Sequence, residues 1–540
     1  METPDHSGLT RAAGAMRRRV VLSAVAAVSG VLLLAAAGVA ACSVATRDTA
    51  PTSQEAGIAG VEGASADPSA SGSPSAGPSV VPPTNCGRYA FTKASTSTLR
   101  SSKKKAFAFY FPPYPISIDN KDPSGDYWAK WTTEADRLAS GTKQGEEMLD
   151  RPLTRAPLSG DWRQKDFETE IRQAIDIGLD GFIWEYHSVS SDARWTQLPV
   201  MLAAAKAVDP GFRIMLSPDL QQGASTTQTS IVADVLKVKN EPAIYRVDGK
   251  IVLAPFYPER VAASFWDGVR TTLASSGVPS VLVPIFLSGS PNSRAPAWNA
   301  SVYGYSLWGN RWVSGADTVR KGAVEAHANG RKYMAPIAFE DTRIYDGRYW
   351  EASNSGALRA TLEKAIAGDA DWIALITWND YTESWMAPSK GRGYAVADTV
   401  AYYTSWFKTG RRPSLVRDAL YYFHRSHRTD APYDTSKQQI AMHIPYGDSA
   451  SNKVELLAFL SAPGKLVIKQ GNTVSTKDVT AAGMVSFSVA MVPGTTPSFE
   501  LQRSGKIVQA LQSKVPIKAK VTHQDMMYRA GGGTSCGGKA

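Results

Sequence analysis

Eight short apolar runs punctuate the chain, at 106–111, 181–186, 213–216, 251–256, 281–286, 302–307, 334–339 and 372–377. Each is close to continuously apolar, the mark of a strand buried on both faces. Helical spacing fills several of the gaps. Phe167, Ile171 and Ile175 recur every four residues ahead of Gly178, a helix stop. Leu198, Met201, Leu202 and Ala205 form a second stripe before Asp209-Pro210-Gly211, and Leu358, Leu362 and Ile366 a third. Strand and helix in alternation predict an α/β fold, a parallel sheet under helices, and eight strands predict a (β/α)8 TIM-type barrel. An open doubly wound sheet is the competing arrangement. Against it, the first strand runs into Phe111-Pro112-Pro113-Tyr114, which offers no glycine-rich phosphate turn. The stretch 114–166 reads as a loop inserted over the strand ends. Asp248-Gly249 predicts a hairpin turn.

Beyond position 433 the pattern changes. Strand-like runs at 454–460, 465–469, 485–489, 498–502 and 506–510 are separated by Gly, Pro, Asn and Ser turns. They predict a C-terminal all-β, sandwich-like domain, and the tail at Ala530-Gly-Gly-Gly-Thr-Ser reads as loop. The expected organisation is a signal peptide over 1–41, a Ser/Pro/Gly tether over 42–85, a barrel over 86–430 and the sandwich over 431–540.

The N-terminal assignment rests on Arg17-Arg18-Arg19 ahead of an uncharged apolar run over 20–41. The run closes on Val39-Ala40-Ala41-Cys42, which resembles a bacterial lipobox and implies lipidation of Cys42. The chain is then extracellular, held at the outer face of the cell membrane as a lipoprotein. An uncleaved membrane anchor and simple secretion are the alternatives. With Cys42 lipidated, Cys86 and Cys536 remain as an even pair, open to a disulfide or to two free thiols. The tether is too poor in large apolar residues to fold.

A hydrophobic fraction of 43% and a charged fraction of 20% are ordinary for a globular protein. The net charge is +10, two of it from residues before Cys42, and the basic residues are scattered. A nucleic-acid partner is not expected, and the protein is expected to be a monomer. No His/Cys/Asp cluster has metal-ligand spacing, no serine-nucleophile elbow is present, and no cofactor is expected.

Candidate chemistry gathers just past the strand ends, where barrels carry their sites. There lie Tyr110 and Tyr114; Trp184, Glu185, Tyr186 and His187; Ser217 and Asp219; Tyr257 and Glu259; Trp308; Glu340, Asp341 and Arg343; and Trp378, Asn379, Asp380, Glu383, Ser384 and Trp385. Rings interleaved with carboxylates suit a sugar, since rings stack on pyranose faces and carboxylates bind hydroxyls and carry protons. Glycoside hydrolysis needs two carboxyl groups, one as acid and one as base or nucleophile. Asp380 and Glu383, three apart amid aromatics, are the candidate pair. A helix cap with a capping box fits the same spacing.

Thr377-Trp-Asn-Asp-Tyr-Thr-Glu-Ser384 resembles the Thr-Trp-Asn-Asp-Tyr-(Gly/Thr)-Glu-Ser element of glycoside hydrolase family 71, the endo-α-1,3-glucanases or mutanases. The segments 174–184 and 213–219, and Leu420-Tyr-Tyr-Phe-His-Arg-Ser-His427, resemble other parts of that family, so the likeness spans roughly 104–428. It implies hydrolysis of α-1,3-glucosidic bonds in α-glucan with inversion, and a catalytic pair at Asp380 and Glu383. Family 99 endomannosidases have a similar element with carboxylates three apart. Glu383 is expected as the acid, from an aromatic flank at Trp385. Tyr110, Tyr114, Trp184, Glu185, His187, Asp219, Glu259, Trp308, Glu340, Asp341, Trp378, Asn379 and Trp385 are expected to bind substrate. The sequence departs from the family at Ala254-Pro-Phe-Tyr-Pro-Glu259, which replaces a Ser-Thr-Phe-Glu-Gly-like stretch, and at Trp385, where many relatives have His. A glycan-binding lipoprotein without activity, and a hydrolase of another polysaccharide such as α-mannan, remain open.

Overall fold

A computed structural model describes residues 87–128, 148–187, 193–220 and 226–535. The signal, tether and all three cysteines lie outside the described residues.

All eight apolar runs contain strands: β1 (Lys105–Tyr110), β2 (Gly181–Tyr186), β3 (Arg213–Pro218), β5 (Lys250–Leu253), β6 (Ser280–Leu282) with β7 (Ile285–Phe286), β8 (Gly304–Leu307), β9 (Lys332–Ala338) and β12 (Trp372–Ile376). The extra strand β4 (Arg246–Val247) folds back on β5 around Asp248-Gly249, both at positive φ. The sheet runs β4-β5-β3-β2-β1-β12-β9-β8-β7, with every pair except β4·β5 parallel. In addition β6 pairs with β5, two residues before β7 pairs with β8.

Both faces of this sheet are buried, which is why its strands are apolar throughout. Along β1, Ala106, Ala108 and Tyr110 pack with Phe167 and Ile171 of the helix Trp162–Asp176. Phe107 and Phe109 point the other way, into a cluster with Ile183, Met215, Val252, Val283, Met334 and Ile376. Strands from across the sheet meet in that second cluster, so the sheet is curled. Helices Leu198–Val208 and Gly356–Ala367 stand where the apolar stripes predict them. Helix Trp162–Asp176 ends before Gly178, at φ +88°, where a Cβ would meet Thr404 Cγ2 at 2.9 Å. That helix begins at Trp162, so the inserted loop is shorter than the 114–166 expected.

The C-terminal all-β domain is two four-stranded antiparallel sheets, the first β19 (Gly483–Ala490)-β16 (Lys453–Leu460)-β15 (Ala419–Arg425)-β22 (Tyr528–Thr534). The second is β18 (Thr473–Val479)-β17 (Gly464–Gln470)-β20 (Ser498–Arg503)-β21 (Lys506–Gln512). Leu420, Leu456, Leu466, Ile468, Phe499 and Leu501 fill the space between them. Two expectations are corrected. β15 lies before the expected boundary at 431 yet belongs to this domain, and its other face, through Tyr421 and Phe423, packs into the helix-side core. The glycine tail is strand β22, paired with β15 along its whole length. Glycine is needed there: Gly532 sits at φ +117°, with a Cβ position 2.1 Å from Leu420 O. Among the described residues no helix is long and apolar enough to cross a membrane.

Candidate active site

Past β12 the chain forms a small hairpin, β13 (Asn379–Asp380) against β14 (Ser384–Trp385), with Asp380 opposite Ser384. Short polar side chains build it. Thr377 Oγ1 accepts from Asp380 N at 2.8 Å and donates to Ser384 O at 2.6 Å. Asn379 accepts from Phe111 N at 2.8 Å and donates to the carbonyls of Phe111 (3.1 Å) and Tyr114 (2.9 Å). No helix starts at Asp380, so the pair is not a capping box. The next helix is Ala395–Thr409.

The two acids stand in different surroundings. Asp380 is 7% exposed and accepts from Thr382 N at 3.2 Å and Thr382 Oγ1 at 2.7 Å. Burial first, then the Glu383 charge, pushes its carboxyl well above the usual range. The Glu383 side chain is 18% exposed and meets a cation: Arg343 Nη2 lies 2.8 Å from Oε2, while Tyr345 donates to Oε1 at 2.9 Å. Burial raises this carboxyl too, with Arg343 acting against the rise. The flank at Trp385 does not enclose Glu383. That ring faces Asp150 and Arg392, and Asp380 is the more enclosed acid.

A second hairpin, β10 (Asp341–Arg343) with β11 (Arg348–Trp350), carries the partners of Glu383. Thr342 N donates to Glu383 O at 3.0 Å, joining the two hairpins. Arg343 grips Asp341 through two bonds of 2.8 Å, and buried Arg311 lies 3.5 Å from the same carboxylate. Tyr114 donates to Thr382 Oγ1 at 3.2 Å, so Tyr114 and Asp341 do join the pair. The sequence reading missed Tyr345 and Arg311, and it placed Arg343 past the strand end without giving it a role. The available signal was Asp341-Thr-Arg343, whose period-two spacing puts an acid and a base on one face of a hairpin.

A second cluster stands at the ends of β2 and β3. Glu185 shares a face with Ile183, and Asp219 with Met215, so both emerge from the interior side of the sheet. Asp219 Oδ2 is 3.2 Å from His187 Nε2, and Arg194 Nη1 lies 2.6 Å from His187 Nδ1. Burial pushes Glu185 up to about 7, with Arg194 opposing. Glu185, His187 and Asp219 present ligand atoms all within 4.8 Å of one another, the one such group among the described residues. The sequence reading found no metal-ligand spacing, and this trio supplies it across two strands. The Arg194 guanidinium already brings positive charge to the same spot, which weighs against a second cation. Trp308, half-buried, packs on Phe109 (5.0 Å) and Phe256 (4.8 Å) at the mouth of the interior cluster.

Seven expected substrate contacts are engaged elsewhere. Tyr110 and Trp184 stack on each other in the helix-side core, because alternation turns them from the interior. Trp378 joins that core and donates to Glu170 at 3.2 Å. Asn379 is used up by the backbone around Phe111. Trp385 is fully buried, and Glu340 is 1% exposed in an ion pair with Arg392. Glu259 accepts from Leu287 N at 2.9 Å and lies 3.4 Å from Arg294, tying loops beside the site.

The sequence profile of glycosyl hydrolase family 71 matches residues 158–530. The chain belongs to glycosyl hydrolase family 71. It is a glycoside hydrolase, and the family match takes in the curled sheet from β2 onward and reaches both C-terminal sheets. A mutanase of Penicillium rubens is 24% identical over 398 residues, covering 69% of this chain and 85% of that one. A glucan endo-1,3-alpha-glucosidase of Schizosaccharomyces pombe is 24% identical over 368 residues, covering 63% and 84%. Among solved structures, a GH99 endo-alpha-mannosidase from Bacteroides thetaiotaomicron matches with a TM-score of 0.42 at 13% identity, over 56% of this chain and 97% of that one.

Proposed function

We propose that this family 71 enzyme cleaves α-1,3-glucosidic bonds in α-glucan, with Asp380 as general acid and Glu383 as general base. The observation that carries the reading is the inequality of the pair. Asp380 is enclosed and takes its hydrogen bonds from Thr382, and burial and the Glu383 charge push its carboxyl well above the usual range, which favours its protonated form. Glu383 has an arginine at 2.8 Å and a phenol at 2.9 Å, both of which favour its ionised form. The proton passes from Asp380 to the glycosidic oxygen as the bond to the anomeric carbon breaks. Glu383 takes the proton of the attacking water. Inversion at the anomeric carbon follows from this division of labour, since the base activates water instead of attacking. Glu185, Asp219 and His187 bind hydroxyls of the sugar, and Trp308 offers it a ring face.

The relatives named for α-1,3-glucan support the linkage. The pairing of β6 with β5 and of β7 with β8 supports reading the sheet as a barrel closed through 280–286. Insoluble α-1,3-glucan, a panel of other α-glucans and α-mannan, each incubated with purified protein, provide the test. Reducing sugar released from α-1,3-glucan, and lost in the Asp380→Ala and Glu383→Ala variants, is expected. Release that survives both substitutions, or preference for α-mannan, would overturn the reading. Proton NMR of the first product gives the anomer, which for an inverting enzyme is β.

Anchoring through Cys42 is proposed alongside, supported by Arg17-Arg18-Arg19 and the apolar run that ends there. Labelled fatty acid is expected on the wild type and absent from Cys42→Ala; equal labelling would contradict it.

A further inference from the structure

The two hairpins of the site lean on one short piece of the C-terminal domain. On the first, the Trp385 ring and the Tyr381 ring pack with Met527, which is fully buried. On the second, Ile344 and Tyr349 pack with Met526 and Met442. Tyr349 N also donates to His443 O at 3.1 Å, and His443 N to Gly347 O at 2.9 Å.

Arg392 locks this arrangement. Its guanidinium is fully buried 3.7 Å from the Trp385 ring centre and donates to Trp385 O at 2.7 Å and Tyr528 O at 3.3 Å. It is also ion-paired with Glu340, whose other oxygen accepts from Tyr528 N at 2.9 Å. Gly391 O accepts from Ala530 N at 3.0 Å, and a Cβ on Gly391 would meet Met527 Cε at 2.8 Å. Below, Arg425 of β15 donates to Met526 O at 2.6 Å and lies 4.0 Å from the Tyr528 ring centre. The stretch 525–528 is thus fixed from both the sandwich side and the site side.

We propose that the C-terminal domain is a working part of the active site, with Met526, Met527 and Tyr528, locked by Arg392, as positioning residues that set the Asp380 hairpin against the Arg343 hairpin. The inference rests on Asp380 and Glu383 being the reacting pair. A sandwich that merely bound glycan or braced the fold would have no need to place buried side chains against both hairpins at once. Displacing either hairpin separates Glu383 from Arg343 and Tyr345, and shifts of about 1 Å in such a site cost on the order of a hundredfold.

The test uses the full chain in four variants: Met527→Ala, Met527→Leu, Arg392→Lys and, as control, Leu466→Ala in the sandwich core away from both hairpins. Met527→Ala is expected to lower kcat by about tenfold to a hundredfold with KM nearly unchanged. Its acidic pH limb should move to higher pH as Glu383 loses contact with Arg343. Met527→Leu, close in volume, should restore kcat to within about threefold. Leu466→Ala should lower Tm and leave kcat per folded molecule intact. If Met527→Ala does not fold, Arg392→Lys, which keeps the charge beside Glu340 but loses the fork, should show the same kcat loss. Met527→Ala or Arg392→Lys behaving like Leu466→Ala, with lower Tm, unchanged kcat and an unmoved pH profile, would overturn the proposal. Asp380→Asn separates the two failures: if it stays active the catalytic assignment falls, and if it is inactive while Met527→Ala keeps its kcat only this inference falls.

Discussion

Two glutamates of this enzyme each face an arginine at the end of a parallel strand, and they do different things. Glu340 is 1% exposed, and its two oxygens are taken by Arg392 and by Tyr528 N. Glu383 keeps 18% of its side chain open, with Arg343 on one oxygen and Tyr345 on the other. The first is a strut between domains. The second is held between a cation and a phenol and keeps a face open to water. Position past a strand end does not by itself make an acid catalytic; a carboxylate works on a substrate only where its partners leave it a solvent face.

Breaking the comparison should separate activity from stability. Asp380→Asn and Glu383→Gln are each expected to lower kcat by about a hundredfold to ten-thousandfold, with Tm little changed in thermal unfolding. Glu340→Gln should instead strip Arg392 of its buried counter-charge and cost about 3 kcal/mol of stability, measured by denaturant unfolding. Arg343→Met sharpens the contrast. Without the cation the Glu383 carboxyl rises further, so the acidic limb of kcat/KM should move up by about one pH unit or more. Tyr345→Phe acts in the same direction through one hydrogen bond and should cost about threefold to tenfold.

The smallest effect concerns Glu170, which accepts from Tyr110 at 2.6 Å and Trp378 at 3.2 Å behind the motif. Burial pushes it from 4.5 up to about 8, so the folded protein holds a proton that the unfolded chain releases. That contribution is fully present below pH 4.5 and is lost as pH rises toward 8. Glu170→Gln should flatten this fall in stability between pH 5 and 8, and a variant with unchanged pH dependence would contradict it.

Much of this was legible in the sequence. The eight apolar runs located the strands, and Thr377-Trp-Asn-Asp-Tyr-Thr-Glu-Ser384 located the candidate pair. Strict use of the two-residue period would have gone further. It puts Glu185 with Ile183 on the interior face and Trp184 on the helix side, so Trp184 belongs to the core. Beyond Ile376 that period fails, because the chain turns into a hairpin whose shape depends on Thr377 and Asn379 bonding to distant backbone. The places of Arg392 and Met527 were not legible, since the contacts of Arg392 with Tyr528 and of Met527 with Trp385 join residues more than a hundred positions apart. β22 was hidden by its glycines, which read as loop but are required where the strand crosses Leu420 at close range.

The direct test of the central claim is a substrate that needs no acid. An α-1,3-gluco-oligosaccharyl fluoride carries a leaving group that departs without protonation, while water attack still needs a base. Asp380→Asn should hydrolyse it at close to the wild-type rate although inactive on α-1,3-glucan, and Glu383→Gln should fail on both. Hydrolysis of the fluoride by Glu383→Gln but not by Asp380→Asn would contradict the assignment of acid and base.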